Sequence, residues 1–67
     1  MKGNKVKIMV LMANQQLEAR DLEAKTGMPR STLNKVLSGK TVKPVTIGKV
    51  ANALGVDVRE ILEGAEV

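Results

Sequence analysis

The stretch Leu22–Lys40, which reads LEAKTGMPRSTLNKVLSGK, decides the fold because it contains two short amphipathic patterns separated by a turn centred on Gly27. In the second pattern Leu33, Val36 and Leu37 recur at the spacing of one helix face and can be buried. The opposite face carries hydrogen-bonding side chains, namely Ser31, Asn34, Lys35 and Ser38. We therefore predict a short helix with aliphatic residues on one side and a polar, acid-free surface on the other.

The outer face of this helix is chemically suited to contact with DNA. Arg30 stands at its start, and an arginine can bond bidentately to guanine O6 and N7. Lys35 can donate to the same acceptors, and Ser31 can bond most bases with little discrimination. We predict that this helix contacts base edges and phosphates in a major groove, and that Arg30 contributes most to specificity.

Gly and Pro residues divide the chain into five short segments, each with helical rather than alternating periodicity. We predict one all-α domain over residues 1–67, a compact five-helix bundle. The predicted helices cover roughly 4–14, 18 or 19–26, 29–38, 44–54 and 57–63. Gly27 supplies the turn after helix 2, and Gly39 suits the left-handed position that closes helix 3.

Helices 4 and 5 have the clearest local signals. Helix 4 lies between Pro44 and Gly55 and carries a continuous apolar stripe of Ile47, Val50, Ala51 and Leu54. Helix 5 has Asp57 as its predicted N-cap, with Glu60 three residues later as in a capping box. We predict that helix 4 is the central core helix.

The composition excludes several kinds of chemistry. The chain has no Cys, no His and no aromatic residue, so disulfides, thiolate or imidazole metal ligands and Ser-His triads are excluded. Its acidic clusters have the spacing of helix caps and solvated faces, and we expect no enzyme activity, no metal and no cofactor. The longest apolar run, Ile8–Ala13, is too short to span a bilayer, so we expect a soluble, cytoplasmic protein.

The net charge of +4 is unevenly distributed along the chain. Six cations and no acid lie between Glu23 and Asp57, whereas residues 1–23 and 57–67 have net charges of +1 and −3. A protein that binds a polyanion with one face is expected to show such asymmetry, although a charged stripe is also common on solvated surfaces.

Two phrases, DLEAKTGMPRSTLNKVLSGK and IGKVANALGVDVREIL, resemble the Xre family, the Cro and phage-repressor type of helix-turn-helix DNA-binding domain. The resemblance covers about residues 5–63 and implies a lambda-repressor-like fold, in which the second helix of the motif enters the major groove. It also implies a homodimer that binds two half-sites about 34 Å apart.

The resemblance assigns roles to individual positions of this chain. The side chains expected to read bases are Arg30, Ser31 and Lys35, with Thr32 and Asn34 as secondary candidates. Those expected to contact phosphates are Lys40, Lys43, Ser38 and Arg20. Removing one phosphate contact should weaken binding to all sequences alike.

Two positions of helix 2 depart from the family pattern. The family usually has Gln at the first position of this helix, where it braces a phosphate and the recognition helix, and this chain has Ala19. Glu23 follows core spacing, but the family prefers a small residue there and an unpaired buried carboxylate costs several kcal/mol. Either Glu23 lies at the rim and pairs with a nearby Lys or Arg, or the angle between helices 2 and 3 is altered.

Helix 1 is apolar almost all round, so the sequence does not decide which surface associates with a partner. We expect Ile8, Leu11 and Met12 in the core, whereas Met9 and Val10 fit either core packing or an exposed partner surface. The family usually dimerises through helix 5 and the turn before it. If this chain dimerises in the same way, the expected dimer contacts are Val56, Val58, Ile61 and Val67.

The leading prediction is a sequence-specific DNA-binding regulator, a repressor from a prokaryote, phage or mobile element, that binds a short palindromic operator in double-stranded DNA as a homodimer. The alternative is a protein-interaction module on a helix-turn-helix scaffold, for example an antitoxin, whose helix 1 binds a protein partner and whose DNA binding is secondary or lost. Ala19 and Glu23 favour the alternative, whereas Arg30, Lys35 and the acid-free middle of the chain favour the regulator.

Overall fold

The fold is all-helical, as predicted, over residues 1–64, which a computed structural model describes. The described part contains four α-helices and no strand: α1 Lys5–Gln15, α2 Ala19–Thr26, α3 Arg30–Leu37 and α4 Pro44–Leu54, followed by a 3-10 turn, Val58–Glu60. The predicted bounds of the four α-helices agree with these to within about one residue. Val67, a predicted dimer contact, lies outside the described residues.

The predicted fifth α-helix is wrong, because the chain makes only the 3-10 turn there. Asp57 caps this turn as predicted, and its Oδ1 accepts a hydrogen bond of 2.9 Å from the Arg59 N–H. The residues that follow pair their backbone with the N-terminal segment instead of continuing a helix. These contacts are Asn4 N–H to Ile61 O at 2.6 Å, Glu63 N–H to Lys2 O at 2.9 Å, and an antiparallel bridge between Gly3 and Leu62.

The core consists of aliphatic and methionine side chains from all four α-helices, from the turn before α3 and from the segment after the 3-10 turn. The predicted stripe of α4 is buried, and Leu33 and Val36 of α3 belong to the same core without exposed surface. In α1 only Ile8 is fully buried, and Leu11 and Met12 are partly buried against the core. The buried set is Ile8, Leu22, Met28, Leu33, Val36, Ile47, Val50, Ala51, Leu54, Ile61 and Leu62.

The N-terminal segment connects two other segments through backbone contacts. The sequence analysis did not predict this connection. Besides its pairing with residues 61–63, it bridges Lys2 to Thr41, and the Val42 N–H donates to Met1 O at 2.7 Å. Gly3 is buried between the two contacts. The loop after α3 is therefore attached through its backbone to the segment that precedes α1.

Replacing Gly3 with Ala should destabilise the fold. A Cβ at this position would lie 2.8 Å from Ile8 Cδ1 and 3.4 Å from the Val36 carbonyl oxygen. Overpacking of this kind costs about 1–3 kcal/mol, so Gly3→Ala should lower the free energy of unfolding by that amount. Urea unfolding followed by circular dichroism measures the change.

Gly48→Ala is the matched control, because Gly48 lies inside α4 and an added Cβ there meets nothing within 4 Å. Alanine is a better helix former than glycine, and this variant should gain about 0.5–1 kcal/mol. A Gly3→Ala protein as stable as the wild type would contradict the packing of the N-terminal segment.

Candidate nucleic-acid interface

The turn between α2 and α3 positions the candidate site. Gly27 has a left-handed φ of 71°, and its N–H donates to Glu23 O at 2.9 Å, which closes α2. Met28 then points into the core and is only 6% exposed. Pro29 is extended at φ −60° and ψ 147° and starts α3. The two helices therefore meet through a short turn of three residues, anchored in the core by Met28.

The outer face of α3 is exposed in the way that the sequence pattern predicts. Leu33 and Val36 hold the inner face in the core. Thr32 is half-buried at the edge of the outer face. The exposed side chains of this face are Arg30, Ser31, Asn34, Lys35 and Ser38. The structure thus brings the predicted base-reading side chains together along one eight-residue helix and its C-cap.

Arg30 is held by the one acid that interrupts the family pattern. Its Nη1 donates to Glu23 Oε2 at 3.2 Å, with 53% of the arginine side chain and 41% of the glutamate side chain exposed. Glu23 therefore lies at the rim and pairs with a cation, as the first interpretation of this position predicts. A half-exposed, paired carboxylate carries no large desolvation cost, so no altered helix angle is needed to accommodate it.

A groove runs between α3, the loop that follows it and the first turn of α4. Its lining residues are Thr32, Lys35, Thr41, Val42, Lys43 and Thr46. Two ammonium groups and three hydroxyls are donors suited to phosphate oxygens. The first turn of α4 has no acidic residue and no capping side chain, which leaves its positive end open to an anion. Sequence reasoning missed Thr41 and Thr46, although both lie within three residues of Lys43.

The predicted phosphate contacts differ in their availability. Lys40 and Lys43 are exposed, and neither forms an ion pair among residues 1–64. Ser38 Oγ donates to Asn34 O at 2.8 Å, and this bond has to be exchanged before the hydroxyl can donate to a phosphate. Arg20 pairs with Glu18 at 2.9 Å, with both side chains mostly exposed.

The predicted association surfaces are unequal. Met9 and Val10 are 57% and 52% exposed, and Val6 one turn earlier is 68% exposed. Val56 and Val58 are half-buried against the core. Ile61 is fully buried, so this predicted dimer contact is not on the surface of the monomer. Its side chain fills the core because the backbone of the last described segment is tied to the N-terminal segment.

A shallow apolar groove lies beside the exposed face of α1. It is lined by Val6, Lys7, Val10, Leu11 and Glu60.

In the adjoining turn, the hydrogen bonds from Arg59 lower the pKa of Asp57 below its ordinary value. A lowered pKa stabilises the folded state at pH values above the ordinary pKa of the carboxyl group. This contribution is lost as the pH falls through the folded-state pKa.

Two helices joined by a tight turn, the second of which exposes a polar and cationic face, define a helix-turn-helix domain. A family model of the Cro/C1-type HTH DNA-binding domain matches residues 7–64. The chain belongs to this family, and the resemblance inferred from the motifs is confirmed. No curated protein and no solved structure matches the chain at a significant level. Among the described residues, no helix has the length and apolar character needed to cross a membrane.

Proposed function

We propose that this protein is a sequence-specific transcriptional repressor that binds a short palindromic operator as a homodimer. The observation that carries the proposal is the exposed face of α3, where Arg30 and Lys35 stand on a helix whose other side is buried. The family supports DNA binding, and repression follows most simply because a domain that occupies a promoter excludes other proteins from it. The setting that we propose is the cytoplasm of a prokaryote, with a host, phage or mobile-element operator.

The division of labour within the interface follows from chemistry and position. Arg30, Ser31, Asn34 and Lys35, with Thr32 at the edge, are the proposed base readers, because they line the side of α3 that can enter a major groove. Lys40 and Lys43 are the proposed phosphate contacts because they are exposed beside that helix and lack an intramolecular acid among residues 1–64. Arg20 has to break its ion pair with Glu18 before it can bind a phosphate, so we propose a secondary role for it.

We propose that the dimer forms through the apolar groove beside α1, with a second copy of the chain as its occupant. Val6 and Val10 stand on one side of this groove, and Lys7 and Glu60 supply opposite charges on its lining. Neither Lys7 nor Glu60 forms an ion pair within residues 1–64. In the proposed two-fold contact, Lys7 of one copy meets Glu60 of the other, and the symmetry forms this pair twice.

The exposed apolar face of α1 also favours the second candidate, a protein-interaction module of the antitoxin kind. Val6, Met9 and Val10 form one contiguous apolar stripe at helical spacing, and such stripes are common partner sites. Sequence preference for DNA separates this candidate from the regulator. A module that has lost operator recognition binds duplex DNA weakly and without sequence preference.

Selection from a random duplex pool at roughly 150 mM salt, followed by sequencing, should enrich a palindrome with half-sites one helical turn apart. Arg30→Ala should then lose about 1–3 kcal/mol of discrimination at one base pair of each half-site, because the bidentate contact to guanine is removed. Lys43→Ala is the matched control. It should weaken binding to every sequence and reduce the salt slope by about 0.9 for each protomer. No enriched sequence from folded protein would reject the proposal and favour the interaction module.

A charge exchange tests the dimer surface. Lys7→Glu should dissociate the dimer by placing like charges across the two-fold contact, and the double variant Lys7→Glu with Glu60→Lys should restore it. Sedimentation velocity over a concentration series measures the association. Lys49→Glu, on the exposed side of α4, is a charge-matched control that should leave the dimer intact. A Lys7→Glu protein that remains dimeric would show that the copies meet elsewhere.

A further inference from the structure

Glu23 is the only acid whose carboxylate contacts the proposed DNA-reading face among the residues that the structure describes. It lies on α2, seven residues before Arg30, and reaches across the turn to the first residue of α3. A carboxylate is repelled by phosphates, so its presence at a DNA-binding surface reduces general affinity. This cost indicates a role other than attraction to the polyanion.

We propose that Glu23 is a positioning residue that makes Arg30 selective for guanine over phosphate, an inference that rests on the proposed function. The hydrogen bond joins Glu23 Oε2 to Arg30 Nη1, and residues 1–64 provide no other partner for this guanidinium. The edge that carries Nε and Nη2 is therefore free. That edge has two parallel N–H donors, which match guanine O6 and N7.

The ion pair also limits what Arg30 can do on other DNA. A free arginine on a helix facing DNA binds the nearest phosphate and adds to sequence-independent affinity. When Glu23 holds it, the pair has no net charge, so the general electrostatic attraction to phosphates is reduced. The free edge keeps both of its donors, and a guanine in the groove can be bound while the pair stays formed. Glu23 thus increases the difference between the affinity for the operator and the affinity for other DNA, without contacting a base.

The location of Arg30 is unfavourable for a cation that has no acidic partner. It occupies the first position of α3, where the positive end of the helix dipole disfavours a cation, and α3 has no acid in its first turn and no capping side chain. Glu23 offsets this unfavourable position from the neighbouring helix. It also orders a long side chain before DNA arrives, so that less conformational entropy is lost on binding.

The test compares four variants with the wild type: Glu23→Ala, Glu23→Gln, Arg30→Ala and the double variant Glu23→Ala with Arg30→Ala. Three affinities are measured for each protein: for the selected operator, for the same operator with the contacted guanine replaced, and for a random duplex over a salt series. Glu23→Ala should reduce the preference for guanine by about tenfold. It should also steepen the salt slope on random duplex by about 0.9 for each protomer, because Arg30 is freed to bind a phosphate.

Glu23→Gln retains a hydrogen-bond acceptor and loses the charge. It should therefore keep more of the guanine preference than Glu23→Ala while gaining affinity for random duplex. The double variant should match Arg30→Ala in both guanine preference and salt slope. Both effects of removing Glu23 act through Arg30, so they should be absent once Arg30 is gone. Glu63→Ala is the charge-matched control, since Glu63 is exposed outside the helix-turn-helix and its removal changes the net charge equally. Thermal unfolding of each variant verifies that it is folded.

The outcomes distinguish this inference from the proposed function. A wild type without sequence preference overturns the proposed function and the guanine role together. A wild type that prefers guanine, with Glu23→Ala unchanged in preference and salt slope, overturns the inference alone. An equal effect of Glu23→Ala with and without Arg30 also overturns it, because Glu23 would then act directly on DNA.

Discussion

The placement of α3 depends on the burial of Leu33 and Val36 against the rest of the core. A helix of eight residues is not stable in water by itself, so α3 keeps its shape only while its inner face is covered. Fully burying an aliphatic side chain contributes about 1.5–3 kcal/mol, and these two residues also decide which side of the helix faces outward. The turn at Gly27, anchored by the buried Met28, then sets where α3 begins.

Local signals predicted α1 to α4 well because each helix begins and ends on residues whose preference is local. Asn4 and Gly27 act through their own side chain or backbone angle, and Pro44 begins α4 at its first turn. The fifth helix failed because its fate depends on backbone pairing with Gly3, almost sixty residues away along the chain. Periodicity contains no information about such a partner. The same pairing explains why Ile61, which has helical spacing from Val58, lies in the core rather than on a surface.

The candidate site was predictable in outline and not in detail. Helical spacing alone separated the exposed face of α3 from its buried face, since a short helix can bury only one stripe. For Glu23 the sequence left open a cation partner or an altered helix angle, and it did not single out Arg30, because that contact depends on the turn that brings α2 and α3 together. Likewise, the groove with Thr41 and Thr46 depends on how the loop returns to α4.

The central claim is that the outer face of α3 is the surface that contacts DNA. The most direct test is a nuclear magnetic resonance titration of the labelled protein with a short duplex, in which the backbone amide shifts of each residue are followed. We expect changes concentrated at residues 30–35, in the loop 40–43 and in the first turn of α4. Changes confined to α1, or spread evenly over the surface, would contradict the account.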